Sequence, residues 1–293
     1  MKKTAFIIVV AAIVASTVSG RVVRRTLNVL QTSAPETETI APETMEFVYN
    51  YSWCCDTVGQ LDDNFTSDQM LLQIGANGLS KFSSYKNLTV DSILMDMSHE
   101  QVMQAAMDGK LSNGEFMTIF KNYPQGRLTH TEKICMDWFR YEDEMPAFEW
   151  ELTDSTDHVL GYECRRAKCT FRGREWTALY AEEIPIMDGP WKMHGLPGLI
   201  MKVSDETGHY KFECIGIKSN ATRPITIYKV PYNTTSRINY YDTKNRFDIN
   251  PYSYFEASTG GNISVSDDAG NAMLDSHDPI ELPYDYIERD WKK

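Results

Sequence analysis

Through the middle of the chain, apolar and polar positions repeat with a period of two rather than 3.6. Residues 45–53, Met-Glu-Phe-Val-Tyr-Asn-Tyr-Ser-Trp, alternate and predict a first strand. Residues 70–75 and 79–85 predict a strand pair around a short Ala-Asn-Gly turn, and strand signals resume at 116–120, 127–133 and 147–152. The densest stretch, 158–171, runs into Arg172-Gly173-Arg174, a hairpin bend with glycine at the turn. On the return, Trp176, Ala178 and Tyr180 alternate with Thr177 and Leu179. Residues 199–204 then pair through Asp205-Glu-Thr-Gly208 with 209–218, and 225–230 is one more strand. Successive strands joined by short turns make a meander, and the strand–helix alternation of a parallel sheet is absent. The expected fold is mainly β with minor α: a curved antiparallel meander sheet, half-barrel-like, with a helix covering one end.

That helix is signalled by Ser98 and Gln101, a capping box, followed by Val102, Met103, Ala106 and Met107 on one face and Gly109 as a stop. It reads as a lid over the sheet or as a partner-binding helix. Residues 21–44 lack an apolar period and read as an N-terminal tether. The β-rich domain spans 45–231, and 232–293 is a C-terminal extension rich in Asn, Asp, Ser, Thr and Tyr that packs on the domain or is partly mobile.

Residues 189–203, Gly-Pro-Trp-Lys-Met-His-Gly-Leu-Pro-Gly-Leu-Ile-Met-Lys-Val, are the stretch around which the chain is organised. Pro197-Gly198 fits the centre of a type II turn, with proline presetting φ and glycine taking the positive φ. Gly189-Pro190 is a second break. Trp191 lies between the two turns, held in one place to close a core or to line a pocket.

The N-terminus changes the setting. Lys2-Lys3 precede an apolar run over 5–18, too short to span a bilayer, with small residues near Gly20. Residues 1–20 therefore read as a secretory signal peptide, with an uncleaved anchor as the alternative. No cysteine follows within the first 53 residues, so a lipoprotein is not expected. Removing two lysines and no acids from 29 basic and 41 acidic residues leaves 27 against 41, or −14. That charge disfavours nucleic acid, whose phosphates need Lys and Arg. Six cysteines, Cys54, Cys55, Cys135, Cys164, Cys169 and Cys214, lie in the exported part. They read as disulfides or buried free thiols; no C-x-x-C spacing points to a metal, and no cofactor is implied.

The run 161–180, Gly-Tyr-Glu-Cys-Arg-Arg-Ala-Lys-Cys-Thr-Phe-Arg-Gly-Arg-Glu-Trp-Thr-Ala-Leu-Tyr, is followed by Ile184-Pro-Ile186, Asp188-Gly-Pro-Trp191 and Gly195-Leu196-Pro197-Gly198-Leu199-Ile200. Together these closely resemble the GLPGLI family, exported proteins of the Bacteroidetes named for that hexapeptide. The resemblance is dense over 135–217 and thinner from about 45, and Pro279-Ile-Glu-Leu282 is similar to the family's C-terminal end. It implies a signal-bearing bacterial envelope protein with no established biochemical activity and no catalytic residues to carry over. The opening Gly161-Tyr-x-Cys-x-x-Ala167 is also similar to curved-sheet periplasmic proteins that carry lipid or lipoprotein. Asp56-Thr-Val, Asp91-Ser-Ile and Asp154-Ser-Thr resemble the short O-glycosylation acceptor of the Bacteroidetes.

Four constellations are candidates for function. Trp150, Trp176 and Trp191, with Leu196 and Pro197, could line an apolar groove for a small molecule or lipid, or simply fill the core. Arg165, Arg166, Lys168, Arg172 and Arg174 could hold an anion, or pair with acids across strands. His194 and His209, with an acid such as Asp188, are the candidate residues of a hydrolase. Glu142-Asp-Glu144 with Glu149 could supply a carboxylate pair. The expected function is a non-catalytic binding or assembly role in the periplasm, at the outer membrane or outside the cell. The alternatives are a secreted hydrolase and a structural partner of an outer-membrane or periplasmic protein complex.

Overall fold

The computed structural model describes residues 11–18, 21–29, 34–57, 64–108, 111, 113–260 and 278–292. Two strands, β1 (Ala11–Val18) and β2 (Arg21–Val29), form an antiparallel hairpin over the C-terminal part of the proposed signal segment and the start of the expected tether. The charged Lys2-Lys3 region and the small residues Ser19 and Gly20 lie outside the described residues. The tether is also structured further on. β3 (Thr37–Ala41) pairs antiparallel with β15 (Ile225–Tyr228), because Ile40 and Ala41 pack with Ile225, Ile227, Leu79 and Phe120.

The main sheet has twelve strands. One meander is β4 (Glu43–Cys54), β5 (Phe65–Gly75), β6 (Ser80–Ser84), β7 (Thr118–Lys121), β8 (Arg127–Ile134) and β9 (Asp137–Glu144). The other is β10 (Glu151–Val159), β11 (Tyr162–Phe171), β12 (Arg174–Ala181), β13 (Leu199–Asp205) and β14 (Tyr210–Ser219). The two are joined by antiparallel pairing of β14 with β4, from Tyr210↔Trp53 to Ser219↔Met45. A short strand, β16 (Tyr232–Thr234), adds in parallel to β9, so the sheet is open, with β10 and β16 as its edges. The fold is thus mainly β, with a large antiparallel-rich sheet and a few helices, as the alternation predicts.

Inward positions repeat every second residue: Phe47, Tyr49 and Tyr51; Met70 and Leu72; Trp176, Ala178 and Tyr180; Tyr210, Phe212 and Cys214. They share one core with Phe82, Ile119 and Leu128, which lie several strands away in the sheet order. Only a curled sheet brings both meanders around one core. The tight turns match their sequences: Leu160-Gly161 and Arg172-Gly173 both take positive φ at two successive positions, as two-residue hairpin turns require.

Among the described residues four α-helices sit on this frame: α1 (Tyr85–Asp96), α2 (His99–Met107), α3 (Arg237–Ile249) and α4 (Pro251–Thr259). The capping box at α2 is formed: the Ser98 N–H donates to Gln101 Oε1 at 2.8 Å and the Gln101 N–H to Ser98 Oγ at 3.4 Å. Among the described residues no helix is long and apolar enough to cross a membrane. The C-terminal extension is folded where it is described. Ser236 caps α3, and Asn250-Pro251 starts α4. A strap over 284–291 lays Tyr286 and Trp291 on Ile134, Tyr141, Tyr240 and Tyr241. Of the two readings of the cysteines, disulfides are corrected and free buried thiols are found: all six are free and buried.

Candidate functional site

The segment between β12 and β13 folds into the concave side of the sheet. Lys121 of β7 holds it there. Its ammonium donates to the carbonyls of Gly189 at 2.6 Å, Trp191 at 3.2 Å and Met193 at 3.3 Å, and pairs with the Asp188 carboxylate. This cradle fixes Trp191 with φ +52°, a conformation that a bulky residue adopts only when its surroundings impose it. Pro197-Gly198 is not a type II turn. The Gly198 N–H bonds to Leu196 O at 2.8 Å, and the Leu199 N–H bonds to Ile184 O at 3.0 Å. Glycine is needed at 198 because its φ is +155° and a Cβ there would fall on the Ala181 carbonyl oxygen.

Three of the five expected groove residues, Trp176, Trp191 and Leu196, are core residues. Trp191 is 0% exposed, Trp176 1% and Leu196 1%, and the two indoles pack at 5.6 Å. Leu199 and Ile200 are buried beside them, whereas Gly195 and Pro197 are exposed. Trp150 is half-buried and donates Nε1–H to His194 O at 2.9 Å, tying the neighbouring segment to the loop. The indoles cover one another and the sheet, which leaves their surface to the core rather than to a ligand.

The other candidates disperse as well. His194 lies beside Phe148, and burial, then Lys121, lower its pKa to about 4. His209 Nδ1 lies 3.7 Å from Asp285. His194 stands beside Asp188, the acid expected with it, whereas the charged neighbour of His209 is Asp285. Of the basic cluster, Arg174 is buried and bonded to Asp205 Oδ2 at 2.7 Å, Arg172 meets Asp143 at 3.0 Å, and Arg165 meets Glu182 at 3.0 Å. The acidic cluster is also taken: Glu142 pairs with Arg140 at 2.7 Å, and Asp143 with Arg172.

A different site emerges. A cavity of about 190 Å³ lies between the sheet, α3 and the C-terminal strap. Each wall follows from local periodicity. Strand spacing of two puts Tyr51, Trp53 and Cys55 together, and likewise Glu115 with Met117, His130 with Glu132, and Tyr284 with Tyr286. Helical spacing of four puts Tyr240, Lys244 and Asp248 on one face of α3, and Tyr210, Tyr241 and Ile287 complete the lining. Sequence reasoning missed this site, because its residues come from six separate stretches.

Its polar groups form a network with two open ends. Lys244 Nζ donates to Glu132 Oε1 at 2.5 Å, and the Tyr240 hydroxyl bonds to Glu132 Oε2. Burial opposes the Glu132 anion, but Lys244 and the His130 hydrogen bond together hold its pKa below the usual range. Burial likewise opposes the Lys244 cation, and the charges of Glu132, Asp248 and Glu115 outweigh it, raising its pKa. The Tyr286 hydroxyl donates to Asp248 Oδ2 at 2.6 Å. His130, 2% exposed, is 3.2 Å from Glu132 through Nε2, while its buried Nδ1 has no partner. Burial lowers the His130 pKa, so the ring is neutral near pH 7. The Glu115 backbone is held by Asp68 and Asn87, but its carboxylate makes no hydrogen bond or ion pair among the described residues. Burial, reinforced by Glu132, Asp68 and Asp248, raises its pKa to about 7.

The strap that roofs the cavity is pinned by charge. Glu288 is buried, bonded to Lys192 at 2.5 Å and to Arg237 at 2.7 Å. Arg174 donates to Ile287 O at 3.0 Å and Tyr286 O at 2.7 Å.

No protein-family model matches the chain, and no curated protein matches it. Among solved structures, PNGF-II in its P21 crystal form aligns with a TM-score of 0.43 and 14% identity, over 68% of this chain and 32% of that one. The C2 crystal form of PNGF-II aligns with the same TM-score and 13% identity over the same shares. The chain thus spans about a third of the length of these structures, and the likeness is too distant to assign fold or activity.

Proposed function

We propose that this chain is an exported, non-catalytic binding protein of the bacterial cell envelope, of the GLPGLI kind. Its binding site is the cavity under the C-terminal strap, not the surface of the hexapeptide loop, whose part is to close the core and carry Lys192 to the strap. The observation that carries this reading is the Glu115 carboxylate: it lines an aromatic-walled cavity without a partner, while the neighbouring Glu132 and Asp248 are bonded. Glu115 is half-buried; an acid drawn partly out of water without a partner costs stability, and a ligand that pairs with it offsets that cost. A cavity of about 190 Å³ suits a small polar molecule, since about 150 Å³ holds a benzene-sized one. A lipid chain is therefore not the expected ligand.

One observation favours a second reading, a hydrolase. Glu115 and Glu132 share a cavity, with the pKa of one raised to about 7 and that of the other lowered, the split that acid–base pairs use. The test for both is native mass spectrometry of protein purified from its own host, before and after incubation with the molecule it carries. A small molecule retained unchanged supports binding. Its conversion to product, lost in Glu115→Gln, supports the hydrolase. An empty cavity in protein from every growth condition would sink the binding reading.

A further inference from the structure

We infer that the molecule this cavity takes is a small organic ammonium ion, seated with its charge against Glu115. This rests on the reading of the cavity as a binding site and adds the chemistry of the occupant.

The charged or fully buried groups of the cavity that lack a partner are both acceptors. The Glu115 carboxylate accepts nothing, and His130, whose Nε2–H faces Glu132, presents a bare Nδ1 lone pair. Lys244 and the Tyr240 hydroxyl are engaged on Glu132, the Tyr286 hydroxyl on Asp248, and the Tyr210 hydroxyl on Asp285 O at 2.6 Å, while the Tyr51 and Tyr241 hydroxyls and the Trp53 indole N–H are neutral donors without a hydrogen-bond partner among the described residues. A ligand that pairs with the Glu115 carboxylate must bring N–H donors or positive charge.

The field has the matching sign. Glu115, Glu132 and Asp248 line the cavity, and Asp68 lies behind Glu115, where its Oδ2 accepts the Glu115 N–H at 2.8 Å. Against these four acids stands Lys244, already paired with Glu132, and a neutral His130. An anion would face net repulsion, and a neutral polyol would leave the Glu115 charge unpaired. The walls add Tyr51, Trp53, Tyr210, Tyr240, Tyr241 and Tyr286, and aromatic rings attract ammonium groups most strongly where water is displaced.

Binding a cation favours the ionised form of Glu115, so the complex should tighten as pH rises and should release a proton near pH 7. His130 shifts the same way, because its protonation would place a second cation in the cavity and is disfavoured by a bound one, and this reinforces the trend.

The test is titration of the mature protein with choline and with 1,4-diaminobutane, read by calorimetry and by Trp53 fluorescence. The neutral isosteres 3,3-dimethylbutan-1-ol and 1,4-butanediol are run alongside. The expected result is saturable binding of at least one cation, about tenfold tighter at pH 8 than at pH 6, since Glu115 passes from about one-tenth to about nine-tenths ionised across its pKa of about 7. Glu115→Gln, which removes a half-buried charge and should fold at least as well, is expected to abolish binding, with an unchanged near-UV spectrum. Equal binding of the neutral isosteres, or full binding by Glu115→Gln, would overturn the ammonium assignment. So would a neutral or anionic molecule in the native mass spectrum, but that result would leave the cavity standing as a binding site. Failure of every probe together with an empty native spectrum would overturn both.

Discussion

Lys192 and Glu288 meet at 2.5 Å in the interior, with side chains 1% and 0% exposed. One follows Trp191 in the hexapeptide-bearing loop and the other belongs to the C-terminal strap, so a single ion pair ties the loop to the roof of the cavity. Tyr141 accepts from Lys192 at 3.0 Å, and Arg237 donates to Glu288 at 2.7 Å, which satisfies both ions beyond their mutual contact. Breaking a buried pair by removing one partner strands the other, at a cost of about 3–5 kcal/mol. Lys192→Met and Glu288→Gln should each lower the free energy of unfolding in urea by an amount of that order. The double variant Lys192→Met/Glu288→Gln should lose clearly less than the sum. Additive losses would mean that the two residues act separately.

The hexapeptide should fail at one residue for a reason other than turn preference. At Gly198 the obstacle is the Ala181 carbonyl, onto which any Cβ would fall. Gly198→Ala should therefore cost on the order of 3 kcal/mol or more. Gly198→Asn should do no better, although asparagine tolerates positive φ. Pro197 is exposed, and Pro197→Ala should change stability by less than about 1 kcal/mol. Thermal unfolding of the three variants checks the order. A well-tolerated Gly198→Asn would contradict the close approach.

Much of this architecture was legible because the inward face of a strand repeats every second residue. Trp176-x-Ala178-x-Tyr180 declared its strand, as Ser98 and Gln101 declared α2. The strand β9 was obscured by its acids at 142–144, which drew attention as chemistry while Trp138 and Tyr141 were the packed residues. Helix α3 was obscured because its buried residues are Tyr240 and Tyr241 rather than aliphatic, although the Ser236 cap and Asn250-Pro251 were there to be read. The cavity was not legible, since only tertiary packing joins β4, β8, α3 and the strap. A faint signal did exist: His130-x-Glu132 puts two ionisable groups at alternate positions of a strand that is otherwise almost wholly buried.

Stability should carry the mark of Glu115. Its folded-state pKa is raised from 4.5 to about 7, so the native state holds a proton that the unfolded chain has released between those values. The associated stability is fully present below pH 4.5 and is lost as pH rises through about 7. At pH 8 the penalty is up to about 3 kcal/mol. Glu115→Gln should remove that slope and stabilise the protein at pH 8, with little change at pH 4. Glu132 has the opposite sign: its lowered pKa contributes stability above about 4.5 that is lost as pH falls. Urea midpoints for wild type and Glu115→Gln across pH 4–9 separate the two. Parallel profiles would show that Glu115 is not buried as described.

The thiols give an independent reading of both fold and site. All six are free and buried; burial raises the pKa of Cys169 to about 12 and of Cys214 to about 11, which suppresses the reactive thiolate. Cys55 differs from the other five because it lines the cavity. A small thiol reagent applied to the native protein should therefore modify Cys55 first and the remainder only on unfolding, when all six react. Reducing agent alone should leave the melting temperature unchanged, since no disulfide contributes to it. A cation that occupies the cavity should slow the Cys55 reaction in proportion to its saturation, and Cys55→Ser should remove the fast phase. Rapid labelling at Cys169 or Cys214 would contradict their enclosure in the curled sheet, and loss of stability under reducing agent would show cysteine pairing.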